Sequence, residues 1–409
     1  MIQNDILKNI KNPKIKKNQI KYIISVPISW KEFEKQIIIN AAYESGMNNI
    51  RLIYDNEAAS LSMMNDRYIE SKYKSDHKIF LSIDAGGYYT NITINEITNS
   101  KIKEKIKIKN NIYKNIGILT ISEEIIKILE QIFGKNYIDY LKRENPGEWV
   151  KTLKDIYSAI ESTYCIDGIE LFEINSKFNS KGKYEYSYQT EKGINKYIIE
   201  YNEYIVTLPA GLVGNIIYKN VRYIMNIIDN IIDEMKLKRI NINSILVSGG
   251  LSKNKIFQNE IENNLKIKIS INYLTSYENA ISKGAVFYGI DSDKIKSRVS
   301  KETIGIRVKE NNNNKIKVLI KKGEEIENYS LNIFIKPSLK NQERIQINVY
   351  ATDNEELSEN DFLGRLLLYL NKNNNGIIQL TIKYDIVLNF YAVDYETEEE
   401  IKFDFELFK

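Results

Sequence analysis

Up to about residue 290, apolar runs of strand length alternate with amphipathic helical stretches, and beyond that point period-two strands take over. An alternating unit folds as α/β layers, whereas TIGIRV, KIKVLIKKG, SLNIFIK, ERIQINVYA, IIQLTIKYD, IVLNFYAVD and EIKFDFELF demand an antiparallel β-sandwich. Two domains follow, 1–291 and 301–409, joined by a polar linker at 292–300. The first strand–helix pair is KYIISVPI followed by Trp30 to Gly46, with Ser29 and Glu32 as a capping box and Gly46 as a C-cap. Phe33, Ile37 and Ala41 should form the buried face of that helix. Next come a strand from Arg51 to Tyr54, a short helix starting near Glu57, and an apolar strand from Lys78 to Ile83. Further helices are expected at Ser122 to Phe133, Glu148 to Tyr164, Leu212 to Met235, Asn254 to Leu265 and Glu278 to Tyr288. The polar, Tyr-rich stretch from Gly168 to Tyr201 reads as hairpins, and Lys101 to Lys109 as a half-buried edge strand guarded by lysines.

Charge and rare residues remove several function classes. Lys and Arg number 58 against 54 Asp and Glu, a formal charge of +4 without large single-sign blocks, so the footprint of a nucleic-acid binder is missing. One cysteine, Cys165, excludes an intramolecular disulfide framework, and one histidine, His77, excludes His-rich metal sites. Cys165 reads as a buried small residue and His77 as a surface residue before a strand. No apolar run approaches a membrane span, and the opening MIQNDILKNIKNPKIKK lacks the apolar stretch of a signal peptide. A cytoplasmic location is the expectation, with no membrane and no nucleic-acid partner.

Two glycine turns could carry chemistry. Asp84-Ala85-Gly86-Gly87 ends a buried strand, and TNITINEI follows at once. Glycines there would let the backbone adopt positive φ and turn N–H groups toward an anion, while the carboxylate positions a metal ion or its water. Alone, such a segment reads more readily as an ordinary β-turn. Leu246 to Lys253 is a second strand, Gly-Gly turn and helix start, which brings backbone N–H groups close to a ligand or simply enters a helix.

Taken in order, these segments resemble the heat shock protein 70 family of actin-fold ATPases, and particularly its divergent heat shock 70 kDa protein 12-like branch. The resemblance rests on YIISVPISWKEFEKQIIINAAYESGMNNIRLIYDNEAAS, FLSIDAGGYYTNITI, ILVSGGLSKNKIFQNEI and ENAISKGAVFYGI. It continues through VLIKKGEEI, IQINVYATD, FLGRLLL and YDIVLNFYAVDYETEEEIKF, which look like the family's peptide-binding β-sandwich. What it implies is an actin-like, ribonuclease H-like ATPase domain, partial at its N-terminus, followed by that sandwich. ATP or ADP with Mg²⁺ would be the cofactors, and extended peptides and co-chaperones the partners. Asp84 matches the acidic residue that holds the metal through water, and Ala85, Gly86, Gly87 and Tyr88 match the hairpin around the phosphates. Glu57 matches the carboxylate that orients the attacking water. Gly249, Gly250, Leu251 and Lys253 match the turn beside the nucleoside, and Glu278 an acidic residue at the adenosine end.

Departures from the family pattern set the expected activity. Tyr88, Tyr89 and Asn91 stand where the family has a third glycine, a threonine and an aspartate. Ser158 and Glu161 stand on the helix that supplies a Glu and a Lys to the adenine pocket. The resemblance places a first phosphate loop of the DxGT kind upstream of the segment matching Lys21 to Trp30, so half of the phosphate clamp is expected to be absent from the chain as given. In-line phosphoryl transfer needs positioning from both sides of the γ-phosphate, and hydrolysis is therefore expected to be weak or lost. The alternative is a pseudo-ATPase or gene fragment that acts as a peptide-binding module through the sandwich.

Overall fold

A computed structural model describes residues 19–64, 78–98, 101–106, 116–168, 170–274, 279–310, 313–327, 329–337, 342–370 and 376–408. The expectations for His77 and Glu278 lie outside these residues. In chain order the elements begin with β1 (Tyr22–Val26), α1 (Glu32–Glu44), β2 (Ile50–Tyr54), α2 (Asp55–Met64), β3 (Ile79–Ala85), β4 (Thr90–Thr98) and β5 (Lys101–Ile106). They continue with α3 (Ile118–Phe133), α4 (Lys135–Glu144), α5 (Pro146–Ser162), β6 (Leu171–Asn175), β7 (Gly182–Thr190), β8 (Gly193–Tyr201), β9 (Ile205–Pro209) and α6 (Ala210–Leu237). Then come β10 (Ser244–Ser248), α7 (Lys255–Asn263), β11 (Ser270–Tyr273), α8 (Ala280–Ile290), β12 (Ile295–Val299), β13 (Thr303–Glu310), β14 (Asn313–Ile320) and β15 (Glu325–Ile326). The last are β16 (Tyr329–Ile335), β17 (Arg344–Thr352), β18 (Phe362–Tyr369), β19 (Ile378–Tyr384), β20 (Leu388–Asp394) and β21 (Phe403–Leu407).

The chain divides into two compact units. One comprises Ile79–Ile92 and Asn110–Ala280. Its parallel strands β3, β10 and β11 sit side by side, and β10 is buried along its whole length, as a strand covered on both faces must be. The helix α3 follows the 3.6-residue repeat closely: Ile121, Ile125, Ile128 and Leu129 are all buried, each such side chain contributing about 1.5–3 kcal/mol. The Tyr-rich stretch forms an antiparallel sheet in the order β6-β9-β8-β7. Its rings at Tyr184, Tyr186 and Tyr188 line one face at two-residue spacing, 6.5 Å apart. Cys165 lies beyond the end of α5 and is half-buried rather than buried, because the helix closes at Ser162.

The other unit comprises Met1–Lys78, Thr93–Lys109 and Ile281–Lys409. A five-stranded sheet β14-β13-β17-β18-β21 and a three-stranded sheet β16-β19-β20 are both antiparallel. Ile304, Val349, Leu366 and Leu368 from the first and Leu380, Ile382 and Phe390 from the second share one apolar core, so alternate residues of each strand do what period-two patterning predicts. In the same unit β1 runs parallel to β2.

Three local expectations need correction here. The segment read as a polar linker forms a 3₁₀ turn at Ser292–Lys294 and then β12, which pairs in parallel with β5 and antiparallel with β15. β5 is for that reason not an edge strand: β4 and β12 flank it. The third concerns α1, which starts two residues later than the Ser29 cap implies, and its polar face is the buried one. Glu32, Lys35 and Gln36 are buried while Ile37 is 47% exposed. Glu32 is no capping residue: it accepts from the Leu388 N–H at 2.7 Å and from Gln36 at 2.8 Å. Lys35 donates to the Ile386 carbonyl at 2.6 Å and lies 3.2 Å from Glu32. Charges can be buried there only because each meets a partner.

Candidate functional site

Within the unit built on β3, the strand register delivers the two glycine turns to the same place. Ser248 pairs with Asp84 at the carboxyl ends of neighbouring parallel strands. The Ser248 hydroxyl donates to Asp84 Oδ1 at 3.0 Å, which orients a carboxylate that is only 5% exposed. Gly249 follows with φ +89°, and a Cβ at this position would sit 2.3 Å from the Ala85 carbonyl oxygen and 2.8 Å from Asp84 Oδ1. Only glycine fits that approach. Beyond it, Gly250–Lys253 is a single 3₁₀ turn whose Ser252 hydroxyl donates to the Gly249 carbonyl at 2.6 Å.

The hairpin Gly86 to Tyr89 behaves differently from the anion nest expected of it. Neither Gly86 nor Gly87 has positive φ, and the Gly86 N–H donates to the Tyr89 carbonyl at 2.9 Å, closing the turn on itself. The hairpin's carbonyls are used as well. Ile118 N–H donates to Gly86 at 3.4 Å and Leu119 N–H to Gly87 at 2.8 Å, so the first turn of α3 satisfies its orphan donors on this loop. Gly117, the residue before α3, packs so closely that a Cβ would lie 2.5 Å from the Gly87 oxygen. Tyr88 is 44% exposed, its ring set edge-on to Tyr89 at 4.5 Å.

Glu57 belongs to the other unit. It lies on the first turn of α2, 5% exposed, and both carboxylate oxygens accept from one guanidinium: Arg298 Nε to Oε1 at 2.7 Å and Nη2 to Oε2 at 2.9 Å. The third nitrogen of Arg298 is held by Asp385, which also accepts from the Tyr288 hydroxyl at 3.0 Å. Burial works against the charge of Arg298, yet Asp385 and Glu57 together hold its pKa well above the ordinary value. Burial and the Asp385 and Glu57 charges push the Tyr288 phenol up to about 12, against the pull of Arg298.

Comparison with known proteins comes down on one side. The chain is 21% identical to heat shock 70 kDa protein 12A of Mus musculus over 358 residues, 71% of this chain and 51% of that protein. It is 22% identical to the protein of the same name from Homo sapiens over 428 residues, 83% of this chain and 62% of that protein. The chain is a divergent relative of the heat shock protein 70 family. A shorter match, 27% identical over 115 residues, is to heat shock protein 88 of Dictyostelium discoideum and covers 28% of this chain and 14% of that protein. No family model matches. This heat-shock-like chain spans between about half and three fifths of the length of the 12A relatives it matches.

For the heat-shock-like chain, then, Asp84, Ala85, Gly86, Gly87, Gly249, Gly250, Leu251 and Lys253 lie within one unit, and Glu57 lies in the other. Three residues that support the first group escaped sequence reading. Ser248 orients Asp84, Gly117 packs under the hairpin, and Asn254 caps α7 by accepting from Ile256 and Phe257 N–H groups at 2.9 and 3.3 Å. The Asn254 amide also donates to the carbonyls of Ile160 and Thr163, which ties the end of α5 to the start of α7. An Asn immediately before a helical repeat is a cap signal, and it could have been read. Arg298 carried no signal at all, because its partners are 241 and 87 residues away. Among the described residues no group of three or more His, Cys, Asp or Glu side chains is arranged to hold a metal ion. No helix among them is long and apolar enough to cross a membrane.

Proposed function

We propose that this is a chaperone-type protein of the heat shock protein 70 kind, binding ATP or ADP in an actin-like ATPase fold, with hydrolysis weak or lost. One observation carries the reading: two parallel strand ends bring Asp84 and the Gly249 turn together, so closely that a Cβ at Gly249 would clash with the Ala85 carbonyl. Ligands in open α/β sheets bind at such carboxyl strand ends. The site fits a nucleotide with its metal. A hard cation that keeps most of its waters needs one oriented carboxylate and phosphate oxygens, and Asp84, steadied by Ser248, is such a carboxylate. Bound there, Mg²⁺ would neutralise phosphate charge. Gly250, Leu251 and Lys253 would flank the nucleoside, and the Gly249 turn, packed on the Ala85 carbonyl, would lie beside the phosphates.

Weak or absent turnover is supported by two features. The Gly86 N–H is spent on Tyr89, and both oxygens of Glu57 are occupied by Arg298, so neither group is poised for chemistry at a γ-phosphate. Isothermal titration of the full chain with ATP and Mg²⁺ tests the proposal. Saturable heat that Gly249→Ala abolishes is the expected result; no heat at millimolar nucleotide would overturn it. The same two features favour a second reading, a pseudo-ATPase whose sandwich binds extended apolar peptides by backbone contacts at a sheet edge. Fluorescence anisotropy of a labelled apolar heptapeptide with the full chain decides that one, and an unchanged signal at high protein concentration refutes it.

A further inference from the structure

The unit that holds the sandwich contains a cavity of about 680 Å³, within the size range of small-molecule sites, that takes no part in the nucleotide reading. Its wall is made of β2, β12 and the residues around the β19–β20 turn, and it is rich in cations: Arg51, Lys101, Lys296 and Lys383 all line it. Ile102 pairs with Ile295 in the parallel register of β5 and β12, and both isoleucines are buried. Lys101 and Lys296, next to these isoleucines in sequence, both line the cavity. Like charges on adjacent strands repel unless something neutralises them.

The structure supplies little to do so. Among the described residues, none of the four cations has a carboxylate partner: Arg51 donates to the Ser292 hydroxyl at 2.8 Å, and Lys383 stands 5.0 Å over the Tyr391 ring. Of the carboxylates on the wall, Asp385 is already held by Arg298, which leaves Asp293 and Glu327. Positive charge is in excess on a concave, partly enclosed surface, where it focuses the field toward an anion. Tyrosine rings at Tyr329, Tyr384 and Tyr391 add planar surface to the same wall. We propose that this cavity is a binding site for a phosphorylated small molecule, its phosphates met by Arg51, Lys101 and Lys296 and its ring or sugar by the tyrosines.

Titration of the full chain with inorganic pyrophosphate, followed by calorimetry, tests the site directly. One saturable site is expected, weakened at least tenfold in Lys101→Gln/Lys296→Gln and at least threefold by raising NaCl from about 0.05 to 0.3 M. Dependence on Lys101 and Lys296, which line this cavity, separates it from the glycine turns. Lys383→Gln, an exposed position, provides a milder variant with an expected weakening of a few fold should the double variant fail to fold. Absence of heat at millimolar pyrophosphate overturns the proposal. So does binding that the lysine variants leave intact.

Discussion

Arg298 holds Glu57 by both carboxylate oxygens, a two-pronged ion pair with its partners 8% and 6% exposed at the side chain. Removing the guanidinium would take two charge-assisted hydrogen bonds from a buried carboxylate that also accepts from the Tyr54 N–H at 3.3 Å. Arg298→Met should therefore lower the unfolding free energy by about 3–5 kcal/mol in urea denaturation. Arg298→Lys should recover only part of that, because an ammonium cannot form the parallel pair of hydrogen bonds. A loss below about 1 kcal/mol in the Met variant would show that the pair contributes nothing beyond desolvation.

Gly249 and Gly87 should respond oppositely to the same substitution. Gly249→Ala meets both a positive φ and the Ala85 carbonyl, and should destabilise the chain by more than about 2 kcal/mol. Around Gly87 nothing lies within 4 Å, so Gly87→Ala should change stability by less than about 1 kcal/mol. Thermal melts of the two variants side by side check the contrast.

Glu302 predicts a pH dependence. Burial pushes its carboxyl up to about 7, Lys35 pulls it back, Glu32 pushes it further, and the Glu32 N–H, donating to it at 2.6 Å, lowers it again. A folded pKa above the unfolded one means that the protonated group stabilises the fold. That contribution is full below about pH 4.5 and is lost as pH rises through about 7. Glu302→Gln, which stays neutral, should gain on the wild type by on the order of 3 kcal/mol between pH 4.5 and 8. Unfolding curves at both pH values measure this, and a gap that stays constant would refute it.

Asn254 joins four backbone groups at once. Asn254→Ala removes the α7 cap and leaves the Ile160 and Thr163 carbonyls without that donor, which should destabilise by about 2–3 kcal/mol. Amide exchange at Ile256 and Phe257 should accelerate more than at Ile261, one turn further along α7.

How much of this was legible beforehand depends on how far apart the partners lie. Helices α3 and α6 and the strands after 301 follow their own periodicity, so their ranges could be read within a few residues. Asp84 and Gly249 could be singled out because each sits at the end of an apolar strand. The burial of Glu32 and Lys35 could not, since a charged residue on a helix reads as a solvated face until its distant partners are known. Segment 292–300 failed for the same reason. Its charges looked like a tether, but Arg298 is neutralised by Glu57 and Asp385, and Ile295 and Val299 supply the apolar side of a strand.

The partners of α1 are also late in time. Lys35 meets a carbonyl 351 residues further on, and Glu32 an amide 356 residues further on. At about 5–20 residues per second, a ribosome leaves that helix waiting on the order of half a minute. An apolar face exposed for so long would invite wrong company, whereas one written in charges stays hydrated until the Tyr384 to Leu388 turn arrives. The buried ions of α1 thus act as a quiet interface during synthesis, sticky only to the segment that can satisfy them.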